Sequence, residues 1–320
     1  MGDMTGISWC DSTFNPWIGC TRISPACDDC YAARSTPART LGLVWGPHEA
    51  RRRTAAETWK HPERWDRQHA QFLAVNGRRR RVFCASLADV FDNQVPAAWR
   101  EDLFELIRTT PNLDWLLLTK RIGNARSLLP SDWGGGYDNV WLGATVVNQG
   151  EADRDVPKLL ALPASVRFLS IEPMLGPIDL QKSCTLRCPN GDCYTHHSTG
   201  HRVVVDSENG GTLVECICSR LNGLSWVIAG GESGPKARPA HPDWFRSLRD
   251  QCAAAGVPFH FKQWGEWLPG SQAREVGNQM AFVGSCNRGW QWDEGTHSWR
   301  IGKKGAGRLL DGVEHGGFPL

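Results

Sequence analysis

No stretch of this chain stays apolar for the roughly 20 residues that a bilayer-spanning helix needs. The opening Met-Gly-Asp-Met-Thr also lacks the charged-then-apolar pattern of a secretory signal. A soluble, cytoplasmic protein with no membrane partner is therefore expected. Excess charge is missing too: 36 Lys and Arg against 34 Asp and Glu leave a net charge of +2, so no global basic field advertises nucleic acid. Positive charge is gathered instead in two short blocks, Arg51 to Arg53 and Arg78 to Arg81, whose default role is solvated surface.

What the chain has in quantity is tryptophan and cysteine. Sixteen tryptophans in 320 residues are a heavy load, and buried indoles serve packing while needing a partner for the N–H. Trp9, Trp17, Trp141 and Trp226 lie in or beside apolar segments and are expected in the core rather than as a floor for a stacked base. Twelve cysteines at short spacings, in a chain with no export signal, point to metal ligation rather than disulfides. With 41% hydrophobic residues the chain can bury a sizeable core and is long enough for one large domain plus an insertion.

Short apolar runs alternate with helix-like stretches, the signature of parallel strands linked by crossover helices. Ile7 to Trp9 leads into the first cysteine loop; Val82 to Ala85, Trp115 to Thr119, Val140 to Thr145, Arg167 to Ile171, Trp226 to Ala229 and Pro258 to Phe261 read as later strands. Helices are expected over 97–108, 122–129, 153–162 and 243–255, the last opened by Pro242-Asp243 and closed by Gly256. Repetition of this unit gives an α/β fold, a closed or partly open barrel. The segment between Leu180 and Leu224 breaks the rhythm and carries Cys184, Cys188, Cys193, His196, His197, His201, Cys216 and Cys218, which reads as an insertion with its own metal.

Three further cysteines fall within eleven residues, in Cys20-Thr-Arg-Ile-Ser-Pro-Ala-Cys27-Asp-Asp-Cys30-Tyr31. Structural zinc takes four protein ligands and is closed, whereas a [4Fe-4S] cluster on three thiolates keeps one iron open for chemistry. A zinc knuckle that borrows Cys10 is the alternative. The Cys-x6-Cys-x2-Cys spacing resembles the radical S-adenosylmethionine (SAM) superfamily. Its usual motif is Cys-x3-Cys-x2-Cys with an aromatic before the last cysteine; here the first gap is longer and Tyr31 follows. The chain more closely resembles a phage-associated family of radical-SAM-like proteins with a three-cysteine motif. That likeness is carried by 7–20, Leu117-Leu-Thr-Lys-Arg121, Val140-Trp-Leu-Gly143, 171–178, Gly230-Gly-Glu-Ser-Gly-Pro235 and 261–267. Spore photoproduct lyase is more distantly similar, its Ser/Thr-Asp and Thr-Lys strand-end patterns corresponding to Ser86 to Asp89 and Thr119-Lys120.

The resemblance implies a radical-SAM-type partial (β/α) TIM-like barrel with a small metal-binding insertion. The barrel would occupy 1–180 and 224–267, the insertion 181–223 and an irregular extension 268–320. Cys20, Cys27 and Cys30 would hold a [4Fe-4S] cluster whose open iron binds SAM, with Tyr31, Ser86 and Asp89 beside it. Lys120 or Arg121 would meet the SAM carboxylate, and Glu172 a ribose or substrate donor. Gly230, Gly231, Glu232 and Ser233 would approach SAM through backbone and carboxylate, unless this is simply a strand-to-helix turn. Lys262, Gln263 and Glu266 face substrate or pack the open side. Cys188, Cys193, Cys216 and Cys218 offer four thiolates in two pairs, a count that suits Zn2+; a second iron-sulfur cluster or loose surface cysteines are the rivals.

The implied activity is reductive SAM cleavage for hydrogen abstraction, with an electron donor such as flavodoxin or ferredoxin. The expected substrate is a nucleic-acid base or nucleotide, in modification or repair of DNA, with the arginine blocks available for phosphate contacts. The alternative is a zinc-binding, nucleic-acid-interacting protein on a barrel scaffold without radical chemistry.

Overall fold

A computed structural model describes residues 4–35, 40, 42, 45–181, 201–206, 211–216, 220–272 and 289–319, with 201–206 and 211–216 as backbone. In chain order the first half gives β1 (Ser12–Phe14), β2 (Trp17–Ile18), β3 (Arg52–Arg53), α1 (Ala56–Arg67), α2 (His69–Asn76), β4 (Arg80–Cys84), α3 (Ala97–Thr109), β5 (Leu113–Thr119) and α4 (Ile122–Leu128). There follow β6 (Val140–Thr145), α5 (Gln149–Leu160), β7 (Val166–Ile171), β8 (His201–Asp206), β9 (Gly211–Cys216), β10 (Trp226–Gly230), α6 (Pro242–Ala254) and β11 (Phe259–Gln263). The C-terminal part gives β12 (Trp267–Pro269), β13 (Gly289–Gln291), β14 (His297–Arg300) and α7 (Lys303–Ala306).

Seven strands form one parallel sheet in the order β1-β4-β5-β6-β7-β10-β11. The sheet is curled and does not close, so the α/β fold is a half-barrel. No helix among the described residues is long and apolar enough to cross a membrane.

The central strands are apolar in unbroken runs because both faces are covered. Along β5, Trp115 and Leu117 point to the helix-covered face, whereas Leu116 points to the inside of the curl. The same alternation puts Phe83, Trp141, Phe168, Trp226 and Ile228 inside, where they pack with Trp9 as an aromatic plug. Gly143 is required there, since a Cβ would lie 2.3 Å from the Phe168 ring. Trp9, Trp17, Trp141 and Trp226 are all buried, as expected of core residues.

Three parts of the chain differ from the sequence expectation. The first strand is Ser12–Phe14, not Ile7 to Trp9: Asp11 takes Arg78 and the Arg81 backbone N–H, fixing the following residues beside β4, while Trp9 is drawn into the plug. Helices α1 and α2 were not anticipated. The polar sequence of α1 hides its apolar positions, α2 is short and buries no residue, and the Arg80 guanidinium lies over the rings of Trp65 and Phe72. The described residues of the C-terminal part include an antiparallel sheet β12-β14-β13, followed by a return to the exposed edge of β11, where an irregular extension was expected. Phe261 N–H donates to the His315 carbonyl at 2.9 Å and Gly317 N–H to that of Phe259 at 3.0 Å, so this segment satisfies a bare strand edge.

In the insertion, β8 and β9 form an antiparallel hairpin whose register sets His201 opposite Cys216. Cys184, Cys188, Cys193, His196, His197 and Cys218 lie outside the described residues.

Candidate functional site

Parallel strands in one direction bring all their C-terminal ends to one rim, and the chain places its polar residues there. Thr119 ends β5, Thr145 ends β6, Glu172 follows β7, Gly231 follows β10 and Lys262 and Gln263 close β11. Above the aromatic plug, this rim opens into a cavity of about 340 Å3. A smaller lobe of about 80 Å3 adjoins it and is walled by Cys20, Cys27 and Cys30 together. The two share Cys30, Tyr31, Phe83, Leu118, Lys120 and Thr145.

The cysteine loop is held to the rim by two arginines. On one side, Arg121 Nη1 donates to Cys20 Sγ at 3.2 Å and to Asp89 at 3.2 Å, while Nη2 donates to the Thr21 carbonyl at 2.7 Å. Asp89 also accepts from the Thr119 hydroxyl at 2.7 Å, Lys120 N–H at 3.1 Å and Phe91 N–H at 3.0 Å. This carboxylate is thus spent on building the rim. On the other side, Arg238 makes three hydrogen bonds to Glu232 and reaches Asp28 at 3.0 Å and the Pro25 carbonyl at 2.9 Å. The middle of the loop is a short turn that Ser24 caps by accepting from Ala26 N–H at 3.1 Å.

The three thiols of the loop are candidates to hold a metal group. All three are free of disulfides and open onto one lobe. Among the described residues, no three His, Cys, Asp or Glu side chains converge closely enough to hold one metal ion. Cys10 does not line the lobe. It packs with Trp9 and Phe83, and burial pushes its thiol up to about 12. Burial also pushes the Cys20 thiol up to about 11, with Asp89 adding to the effect and Arg121 opposing it. Metal ligation would displace that proton and place the resulting thiolate against a guanidinium.

Of the expected cofactor residues, Tyr31, Ser86, Asp89 and Lys120 line the cysteine lobe, and Glu172, Gly231, Glu232 and Ser233 line the larger cavity. Tyr31 keeps a largely exposed ring while its hydroxyl donates to the Ser86 carbonyl at 2.8 Å. The Ser86 hydroxyl is taken by Asn15 at 3.0 Å. Glu172 is engaged by Lys262 at 2.7 and 3.0 Å, and Gln263 donates to Ser233 at 3.0 Å. Glu232 faces the cavity with both oxygens held by Arg238.

Gly231, with Gly265, also meets a steric requirement. A Cβ on Gly231 would lie 1.9 Å from the Trp264 carbonyl oxygen, and one on Gly265 would lie 2.1 Å from that of Glu232. They let two backbones cross. Gly230 packs against Glu172 and Gln263 and is not in the cavity wall. Sequence reasoning did not single out Arg238, Asn15 or Lys303, a cavity-lining residue from α7. Only Asn15 had a signal, its place inside the family-matching segment before the first cysteine.

Residues 4–319 match the family described as protein of unknown function (DUF5131). The chain belongs to that family. No curated protein and no solved structure matches it.

Proposed function

We propose that this member of DUF5131 is a radical SAM enzyme acting on a nucleic-acid base or nucleotide. The single observation that carries the proposal is that Cys20, Cys27 and Cys30 all line one lobe that adjoins the strand-end cavity. A [4Fe-4S] cluster held by these three thiolates would supply an open iron to bind SAM and an electron for its reductive cleavage.

The chain's own residues then have definite duties. Cys20, Cys27 and Cys30 are the ligands. Arg121 donates to Cys20 Sγ, and hydrogen bonds to ligand sulfurs tune the potential of such clusters. Lys120 lines both lobes and its ammonium has no carboxylate partner among the described residues, so it is placed to meet the SAM carboxylate. The aromatic plug of Trp9, Trp141, Phe168 and Trp226 closes the bottom of the half-barrel against water. Glu172, held by Lys262, offers acceptors to a ribose. An external donor such as flavodoxin or ferredoxin completes the electron path.

Anaerobic purification tests the ligand set. Wild-type protein should be brown, absorb near about 400 nm and carry about four iron and four sulfide. Replacing Cys20, Cys27 or Cys30 singly by alanine should lower the iron severalfold, while Cys10→Ala should not. A colourless wild-type protein containing only zinc would overturn the proposal and favour the zinc-binding alternative.

A further inference from the structure

The wall of the larger cavity carries three carboxylates and three ammonium groups, but two of the carboxylates are paired with arginines outside the wall. Three carboxylates stand in its wall, and each has its own cation: Asp29 is paired with Arg34 at 2.7 Å, Glu172 with Lys262 at 2.7 Å and Glu232 with Arg238 at 2.6 Å. Two ammonium groups of the wall, Lys120 and Lys303, have no carboxylate partner among the described residues. They come from different elements of the wall. Lys120 follows β5 and also lines the cysteine lobe, whereas Lys303 opens α7 just after Gly302, whose N–H donates to the Glu266 carbonyl at 3.1 Å in the segment following β11, a strand four places further along the sheet order. One ligand anion at the cysteine lobe leaves the other cation unanswered.

We infer that Lys303 receives the phosphate of a nucleotide substrate, making the C-terminal α7 the substrate-recognising arm of the site. Lysine binds phosphate as a point charge, and Lys303 is exposed at the rim, where a strongly hydrated dianion keeps part of its water. Ser233 and Gln263 line the same cavity and supply neutral hydrogen-bonding groups. Tyr31, Ile7, Phe83 and Leu118 give an apolar wall against which a flat base can lie. The inference rests on reading this cavity as the reaction chamber, and its phosphate comes either from a free nucleotide or from the backbone of a strand.

Calorimetric titration of the full-length protein with adenosine, adenosine 5'-monophosphate and a short single-stranded oligodeoxynucleotide tests it. At least one phosphate-bearing ligand should bind about tenfold or more tightly than adenosine, and Lys303→Gln should abolish that advantage. Lys303→Arg should retain most of it, and Lys304→Gln, one residue along and outside the cavity wall, should leave it intact. Preference for the mononucleotide identifies a free substrate; preference for the oligonucleotide identifies a strand. Equal binding of nucleoside and nucleotide, no binding of any probe, or an unchanged affinity in a folded Lys303→Gln protein overturns the inference. Failure of the cluster reading is separable: Cys27→Ala should lose iron yet keep the phosphate preference, and Lys303→Gln should keep iron.

Discussion

Replacing Arg121 by glutamine removes one of the two cations that join the cysteine loop to the rim of the sheet. The pair with Asp89 is nearly dry, with side chains 7% and 6% exposed. Leaving a buried charge wholly unpaired costs about 3–5 kcal/mol. Asp89 would still accept from Thr119, Lys120 and Phe91, so the orphaned charge is not left bare. What is lost is a charge-assisted bond to Asp89 and another to the Thr21 carbonyl, each worth about 1.5–3 kcal/mol, together with the contact on Cys20 Sγ. Partial compensation by the remaining donors brings the expected loss to about 3 kcal/mol. Guanidinium unfolding of wild type, Arg121→Gln, Asp89→Asn and the double variant should show this loss and a coupling of about 1–3 kcal/mol between the two positions. A single-variant change under about 0.5 kcal/mol, or strict additivity, refutes the assignment of Arg121 as the clamp.

Arg238→Met should loosen the other side of the loop. Because this arginine is 34% exposed, the stability loss should be only about 1 kcal/mol, yet limited proteolysis should cut faster between Cys20 and Cys30. Gly231→Ala drives a methyl into the Trp264 carbonyl and should cost about 3 kcal/mol or more, whereas Gly230→Ala, with its nearest contact at 3.4 Å, should cost less; equal melting points for the two would refute the crossing. His260 provides a pH test. Burial, then Arg308 and Lys262, lower it to about 4 from an ordinary 6.5. The folded state holds the neutral ring, so stability is complete above about pH 6.5 and falls by about 3 kcal/mol as pH drops towards 4. His260→Gln should flatten that part of the profile, and an unchanged slope would count against it.

The sheet was legible because its strands are buried on both faces: Val140–Thr145 coincides with the expected strand, and Leu113–Thr119 differs only by extending two residues earlier. Elements that rely on distant partners were not. Ser12–Phe14 reads as polar, and only Asp11 reaching Arg78 reveals why it pairs with β4. The C-terminal sheet is stitched from strands of three or four residues, too short to show periodicity.

At the site, the residues themselves were visible as strand-end polar groups, but their division of labour was not. Spacing brought Cys20, Cys27 and Cys30 to attention, yet nothing local says that Arg238 would occupy Glu232 six positions back, or that Gly231 answers to Trp264. Asp89 and Ser86 fall where the motif reading put them, with their polar atoms committed to the protein. Charge balance in the cavity is a property of side chains up to 210 positions apart in sequence, such as Arg238 and Asp28, and only the fold brings them together.

The most direct measurement is anaerobic incubation of iron- and sulfide-reconstituted protein with dithionite and SAM, followed by chromatography for 5'-deoxyadenosine. The account predicts that 5'-deoxyadenosine forms even without substrate, and that it disappears in Cys20→Ala, Cys27→Ala and Cys30→Ala. Protein that carries a full cluster and yet forms none of this product would contradict it.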